Sequence, residues 1–357
     1  MKVLRLTTLL DFGGQERKYL SFTENAELLH NRYVFAAIGY GGNAEKLLIE
    51  RGFEVHILNR QFAIKNLSNI WAVYCLIREV KPDVVHTAAG EANFHGIIAA
   101  KLAGVKTIIG EEIGIPSHSK PARKIFSCVY LLADKIICVS KAVKEYLVTI
   151  GEIPTDKGEV IYNPAHAPSV DNRYAHPEDF KIVYVGRLEK VKNVETLIRA
   201  FAKSKDSGVH LIIVGDGRER ANLESLSENL LIADRVEFVG FSKDPHQYLS
   251  TADLFVLPSF SEGFGIAVVE AMLMKVPVLC SNVGGIPEFV VDNENGWLFN
   301  PLDEEELVDK LNSIIGKDKN ELREIGIKGF NNVNNVFTLK QYVDNLENLY
   351  ERVSEKK

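Results

Sequence analysis

The sequence predicts an α/β protein made of two doubly wound, Rossmann-like domains that face each other across a cleft. Three observations carry this. Strand-like runs alternate with helical patterns through both halves of the chain. One stretch, 164–177, breaks the alternation with three prolines, two histidines and few apolar residues. The length of 357 residues leaves room for two full hydrophobic cores. Apolar strands separated by helices indicate parallel sheets covered on both faces, and such sheets bind ligands at the carboxyl ends of their strands.

Taken in order, β-branched runs at 3–8, 33–38, 54–58, 83–86, 106–109 and 135–140 read as strands, with a closing run at 160–163. Helical patterns separate them at 15–30, 44–51, 63–80 and 91–103. The proline-rich stretch then reads as a linker. A second series has strands at 181–186, 210–215, 235–239, 253–257 and 276–280, with helices at 194–202, 219–229 and 265–275. After 296–299 the chain reads as helical, and Asp303 ahead of Glu306 marks a helix start. Leu339, Tyr342, Val343, Leu346, Leu349, Tyr350 and Val353 recur at helical spacing. The expected domains are 1–168 and 169–335, with 336–357 a helix that packs back towards the first domain.

Composition is that of an ordinary globular protein, with 46% hydrophobic and 25% charged residues. No run of 18 apolar residues occurs, and no basic segment leads into a long apolar one near Met1. The expectation is a cytoplasmic chain. Cys75, Cys128, Cys138 and Cys280 are scattered without metal-type pairing and read as reduced core thiols. The net charge of −6 is uneven, because residues 101–144 hold 8 basic and 3 acidic side chains. That segment reads either as a solvated face or as a basic surface for anionic lipid, which would put the protein on the inner face of a membrane. The 120–135 stretch, KPARKIFSCVYLLADK, is its amphipathic part, either a core helix with a charged start or a peripheral helix. Nucleic acid is not expected, since no aromatic residues interleave with the charge.

The chemistry concentrates in SFSEGFGIAVVE, residues 259–270. Glu262 precedes a Gly263-Phe264-Gly265 turn, and Glu270 follows within an apolar run. The pattern is a strand-to-helix junction whose helix start attracts anions. Glu270 would lie roughly 9 Å down the axis, about the span of a nucleotide diphosphate sugar. Arg187 and Lys192 follow the first strand of the second domain, where a guanidinium and an ammonium can neutralise a diphosphate leaving group. Gly13-Gly14 after the first strand, and Gly215-Asp216-Gly217 later, lack the third glycine of a dinucleotide fingerprint. No Gly-Lys-Ser/Thr follows a glycine loop, which excludes a P-loop.

These residues carry a resemblance. GGQERKYL, PDVVHT, ADKIICVS and VIYNP in the first half, and VGRLEKVKN, IIVGDG, VEFVGF, ADLFVLPSFSEGFGIAVVEAM, PVLCSNVGGIPE and NGWLF in the second, are similar to the retaining, nucleotide-sugar-dependent glycosyltransferases of family 4 with the GT-B architecture. The resemblance spans nearly the whole chain, and its second-half motifs are the specific ones. It implies that Glu262 holds hydroxyls of the transferred sugar and Glu270 the ribose. Arg187 and Lys192 would hold the diphosphate, with Gly263, Phe264 and Gly265 offering backbone N–H groups. Val239, Gly240 and Phe241 would line the base, and Gly14 would close over the phosphates. Gly186, Asn193, Gly215, Asp216, Gly217 and Ile266 complete the implied donor set. The family uses no metal and no further cofactor, and no Asp-x-Asp spacing stands here.

The first domain departs from the pattern. Where many members carry a histidine after the fifth strand, this chain reads Ile109-Gly110-Glu111-Glu112. His86 is the retained histidine, and the acceptor or sugar side is expected among Gly13, Gln15, His86, Glu111 and Glu112. Lys275 stands where a glycine is usual before Val276-Pro277. The resemblance implies transfer of a sugar, from UDP-hexose or UDP-N-acetylhexosamine, to a glycan or lipid-linked acceptor in polysaccharide biosynthesis. Two rivals stand beside it at this point, a GT-B nucleotide-sugar epimerase and a catalytically silent GT-B scaffold.

Overall fold

A computed structural model describes residues 1–11, 14–165, 180–204 and 208–356. Gly13 and nearly all of the expected linker lie outside the described residues. The chain divides into two units, one formed by Met1–Pro164 with Thr338–Lys357, the other by Ala165–Phe337.

The first unit runs β1 (Lys2–Thr7), α1 (Gly14–Glu24), β2 (Arg32–Ala37), α2 (Asn43–Glu50), β3 (Glu54–Ile57), α3 (Ser68–Val80), β4 (Val84–Ala88), α4 (Gly90–Leu102), β5 (Thr107–Glu112), α5 (Lys120–Leu132), β6 (Lys135–Cys138), α6 (Lys141–Thr149) and β7 (Gly158–Val160). Among the described residues these strands form one parallel sheet in the order β3-β2-β1-β4-β5-β6-β7. The order reverses between β1 and β4, which places a ligand crevice at the carboxyl ends of those two strands.

The second unit runs β8 (Phe180–Val185), α7 (Val194–Ala202), β9 (Val209–Val214), α8 (Arg220–Asn229), β10 (Val236–Gly240), α9 (His246–Leu249), β11 (Leu254–Leu257), α10 (Ile266–Leu273), β12 (Val278–Ser281), β13 (Trp297–Phe299), α11 (Glu304–Ile315) and α12 (Lys319–Val333). Its sheet is also parallel among the described residues, ordered β10-β9-β8-β11-β12-β13, with the reversal between β8 and β11. The strands of both sheets are apolar and buried, as sheets covered on two faces require. Asp303 caps α11, its side chain accepting from Glu306 N at 3.0 Å.

The last helix, α13 (Leu339–Ser354), belongs to the first unit. Thr338 caps it, and Tyr342, Val343, Leu346, Leu349, Tyr350 and Val353 join the core that holds Tyr19, Phe22 and Phe35. Glu347 fastens it further, accepting from Tyr33 Oη at 2.9 Å and from the backbone N of His30 at 3.2 Å.

Boundaries differ from the sequence expectation where local chemistry outweighs pattern. α1 ends at Glu24, and a separate 3-10 turn covers Ala26–Leu28. α3 begins at Ser68, five residues later than its pattern. β5 continues to Glu112 and keeps pairing with β4 and β6 through both glutamates. Cys138 and Cys280 are buried free thiols as expected, whereas Cys75 and Cys128 are exposed on α3 and α5 and are not core thiols.

Candidate active site

The site of the second unit grows from its sheet order. β8 and β11 are neighbours at the reversal, so the loops that follow them open side by side at the carboxyl edge. The loop after β8 carries Gly186, Arg187, Lys192 and Asn193, and the loop after β11 carries Ser259 to Gly265. Hydrogen bonds stitch the two loops together. Phe260 N donates to Val191 O at 2.8 Å, and Asn193 Nδ2 donates to Pro258 O at 3.1 Å. The loops after β9 and β10 join the same edge, through Leu188 N to Asp216 O at 2.9 Å and Gly215 N to Gly240 O at 2.9 Å.

Lys192 Nζ and Ser259 Oγ both donate to Oε1 of Glu262, at 2.5 and 2.8 Å. Ser259 is fully buried, while Lys192 and Glu262 keep 18% and 10% of their side chains exposed. Arg187 is exposed and makes no ion pair among the described residues, so it adds uncompensated positive charge to this edge. Gly265 is the N-cap of α10 at φ 94°, a left-handed conformation that favours glycine. It turns the chain so that the first N–H groups of α10, which have no intrahelical partner, face the same edge. Gly284, at φ 56°, lies so close that a β-carbon there would be 1.7 Å from Glu262 O.

Glu270 is buried in α10, and His246 Nε2 lies 3.9 Å from its Oε1. It is therefore not a solvated helix glutamate. Phe264 is also buried, packed on Phe289 and Phe337 at centroid distances of 5.5 and 5.0 Å, so its ring anchors the turn. Phe241 is exposed beside half-buried Val239 and buried Gly240. Asp216 is occupied locally, accepting from Gly217 N at 2.7 Å and pairing with Arg220 at 3.2 Å. Ile266 opens α10. Asn193 is buried, its amide donates to Pro258 O and Pro301 O, and its Oδ1 accepts from Thr196, so its side chain braces the loops.

In the first unit Gly14 and Gln15 open α1. Glu111 and His86, expected on the acceptor side, are interior groups here. Glu111 accepts from Lys18 Nζ through Oε1 and from Arg5 through Oε2 at 3.2 Å, and His86 Nε2 stands 3.1 Å from Oε2. Tyr350 Oη of α13 lies 2.6 Å from His86 Nδ1 and accepts from Arg5 at 3.1 Å. Burial alone would raise the Glu111 carboxyl, but Lys18, His86 and Arg5 outweigh it and hold Glu111 well below the usual range. Burial and the Arg5 charge push His86 down to about 3, so it is neutral at pH 7. All five side chains are enclosed and linked in one network.

Glu112 points to the opposite face. Its Oε1 accepts from Tyr130 Oη and from Asn93 Nδ2 at 3.2 Å. Burial raises its carboxyl to about 7 against the opposing pull of Tyr130, His118 and Asn93. His118 Nδ1 pairs nearby with fully buried Glu152 at 2.8 Å. Glu112 too is thus enclosed by its own unit.

Sequence reasoning missed Ser259, Gly284, His246, Lys18 and Arg5. Ser259, Gly284 and Lys18 stand inside the quoted motifs ADLFVLPSFSEGFGIAVVEAM, PVLCSNVGGIPE and GGQERKYL, and a signal for them was present. Nothing in the local sequence marks His246. Among the described residues no group of three or more His, Cys, Asp or Glu could hold a metal ion, and no helix is long and apolar enough to cross a membrane.

Residues 12–166 match the family model described as Glycosyltransferase Family 4, and residues 170–331 match Glycosyl transferases group 1. The uncharacterized glycosyltransferase MJ1607 of Methanocaldococcus jannaschii is 32% identical over 244 residues, covering 61% of this chain and 63% of that protein. This chain therefore spans less than two thirds of that relative's length. The Escherichia coli UDP-Gal:alpha-D-GlcNAc-diphosphoundecaprenol alpha-1,3-galactosyltransferase is 26% identical, with 84% of this chain and 83% of that protein covered. Anabaena Alr3699/HepE, solved in complex with UDP and glucose, shares the fold with a TM-score of 0.85 at 23% identity, over 99% of this chain and 100% of that one. The two models between them take in nearly all of both halves, and the chain belongs to the group 1, family 4 glycosyltransferases of GT-B fold.

Proposed function

We propose that the protein is a retaining glycosyltransferase that moves a sugar from a nucleoside diphosphate, with UDP the expected nucleotide, to a glycan or lipid-linked acceptor in polysaccharide or glycolipid synthesis. The observation that carries this is the convergence, at one carboxyl edge, of exposed Arg187, the α10 N-terminus and the braced carboxylate of Glu262. A cation and oriented N–H groups stabilise a departing diphosphate, and a carboxylate oxygen accepts sugar hydroxyls. Glu270, deeper in α10, takes the ribose in this reading. The leaving phosphate oxygen removes the proton of the incoming hydroxyl on the same face, so configuration is kept without a side-chain nucleophile. Arg187 and the helix N-terminus provide the charge neutralisation, and the reading invokes no metal. The named acceptor class of the E. coli relative, a diphosphoundecaprenol-linked sugar, supports a lipid-linked acceptor. Nothing in the geometry favours the epimerase or the scaffold.

An anionic membrane surface is the second partner in this reading. Lys120, Lys124, Ile125, Leu131 and Leu132 are all exposed along α5, a combination suited to a charged leaflet. The test of function is a thermal-shift screen across nucleoside diphosphate sugars. A bound donor raises the melting temperature by mass action, and UDP-sugars are expected to give the largest rise. No shift with any nucleotide sugar would overturn the proposal.

A further inference from the structure

We propose that the loop after β3 and the first turns of α3 form a subsite for the phosphate-bearing lipid of the acceptor. Arg60 takes the phosphate, and Leu67, Trp71 and Tyr74 line the hydrocarbon chain. The inference deepens the reading of the protein as a transferase with a lipid-linked acceptor and rests on it.

The cation is held firmly, and by neutral groups. Leu58 N donates to Ala37 O at 2.9 Å and Arg60 N to Ile38 O at 2.9 Å, so the chain leaving β3 stays beside the end of β2 at the carboxyl edge. Asn69, fully buried in the first turn of α3, ties the loop from behind. Its Nδ2 donates to Gln61 O at 2.8 Å, and its Oδ1 accepts from Arg60 Nε at 2.8 Å. Arg60 Nη2 donates to Ser68 Oγ at 2.6 Å. Among the described residues no carboxylate pairs with Arg60 or with exposed Lys65, and Arg60 Nη1 takes no acceptor. The guanidinium is therefore oriented yet keeps its charge for an anion, and its planar fork suits phosphate oxygens.

An apolar stripe begins beside it. Ser68 and Trp71, three apart, are neighbours on the helix surface, and Leu67, Trp71 and Cys75 follow one face at four-residue spacing. Leu67 is 61% and Trp71 67% exposed, two large apolar side chains left open one turn apart. The Tyr74 ring stacks on the indole, with centroids 5.1 Å apart and planes 18° from parallel, so one indole face is backed and the other is open. From Leu67 to Cys75 the stripe runs roughly 12 Å at about 1.5 Å per residue. Trp and Tyr are the side chains that settle where hydrocarbon meets a polar head group. A guanidinium braced by neutral partners at one end of an aromatic stripe matches an amphiphile whose phosphate continues into an alkyl chain, as in a polyprenyl diphosphate. The α5 surface, with its spread of lysines and leucines, suits a whole leaflet, whereas one oriented cation and one ring pair suit a single molecule.

The experiment is calorimetric titration of the wild type, Arg60→Gln and Trp71→Ala, each with UDP present in excess to fill the nucleotide site. The ligands are farnesyl diphosphate, dimethylallyl diphosphate and inorganic diphosphate. The wild type is expected to bind farnesyl diphosphate at least about tenfold more tightly than the other two. Trp71→Ala should lose about tenfold for farnesyl diphosphate and stay within about twofold for dimethylallyl diphosphate, while Arg60→Gln weakens both about tenfold. Unchanged farnesyl diphosphate affinity in Trp71→Ala, or equal wild-type affinity for all three ligands, would overturn the proposal. Sedimentation with phosphatidylglycerol vesicles supplies the second arm. Loss of vesicle binding in Trp71→Ala with farnesyl diphosphate affinity kept would assign the stripe to a leaflet and overturn the proposal as well. A wild type that binds UDP but no farnesyl diphosphate fails this subsite alone, whereas absence of any UDP or UDP-sugar binding would sink the functional reading beneath it. Trp71 is too exposed for its replacement to disturb the fold, so the test stands even if Arg60→Gln does not fold.

Discussion

Glu111 and Glu112 are consecutive residues of β5 that serve opposite faces of one sheet. Glu111 meets Lys18, Arg5 and His86 on the side of α1 and α13, and Glu112 meets Tyr130 and Asn93 on the side of α4 and α5. Alternation along a strand makes this unavoidable once both residues are in the strand. Two neighbouring carboxyls are thereby driven in opposite directions, the first well below its usual range and the second up to about 7.

Glu112 predicts a pH dependence. Its folded value of about 7 exceeds the unfolded 4.5, so the folded state binds the extra proton between those values. Stability from this group is present below about pH 4.5 and is lost as pH rises to about 7, by up to about 3 kcal/mol. Glu112→Gln keeps an oxygen for Tyr130 and Asn93 and removes the titration. Its stability relative to wild type should rise across that window and level off above it. Denaturant unfolding from pH 4.5 to 8 reads the difference. The opposite slope of His86, whose value is lowered, is common to both proteins and cancels. A constant difference across the window would refute the assignment.

Glu111 holds two buried cations. Glu111→Gln leaves Arg5 and Lys18 in the interior without their carboxylate, and breaking such a network costs about 3–5 kcal/mol. Adding Lys18→Met should recover part of that loss, since one stranded charge is removed. Urea unfolding of the two variants gives the comparison. A loss below about 1 kcal/mol for Glu111→Gln would mean that the network is not charged as described.

Gly284→Ala forces a β-carbon to within 1.7 Å of Glu262 O at a left-handed φ of 56°, so the loop after β11 must move. The expected cost is about 1–3 kcal/mol, with loss of nucleotide-sugar binding. Gly316→Ala is the control, because its nearest neighbour would be Asn312 O at 3.5 Å and its φ is not positive. Binding equal to wild type in Gly284→Ala would dissociate the loop from the site.

Arg187→Ala should lower kcat by about 10²-fold if the guanidinium stabilises charge on the leaving diphosphate. Steady-state kinetics with the donor found by thermal shift provides the check. Wild-type turnover would refute its role.

The sheet architecture was legible because strand burial on both faces writes an uninterrupted apolar run, as in 254–257 and 278–281. The carboxyl-edge loops were legible through Glu262, Arg187 and the glycines, whose spacing a strand-to-helix junction dictates. Pairing within the edge was not. No sequence rule brings residues 192 and 262 to 2.5 Å, a distance set by β8 and β11 being neighbours. The end of β5 was misplaced for a related reason. Charged residues ordinarily end a buried strand, and only partners from α1, α13, α4 and α5 let Glu111 and Glu112 remain inside. His246 gave no signal, because its meaning depends wholly on the fold that carries it to Glu270.

The return of α13 to the first unit sets an order of events during synthesis. The second unit is one continuous stretch and holds all its residues once Phe337 has left the ribosome. The first unit lacks Tyr342, Glu347 and Tyr350 until the stretch after Phe337 has been made. The unit begun first is therefore completed after the second, against the usual progress of domains from the amino end. Until then Arg5 and His86 wait without the tyrosine that bridges them, so a premature stop that removes α13 strikes the unit whose sheet was made first.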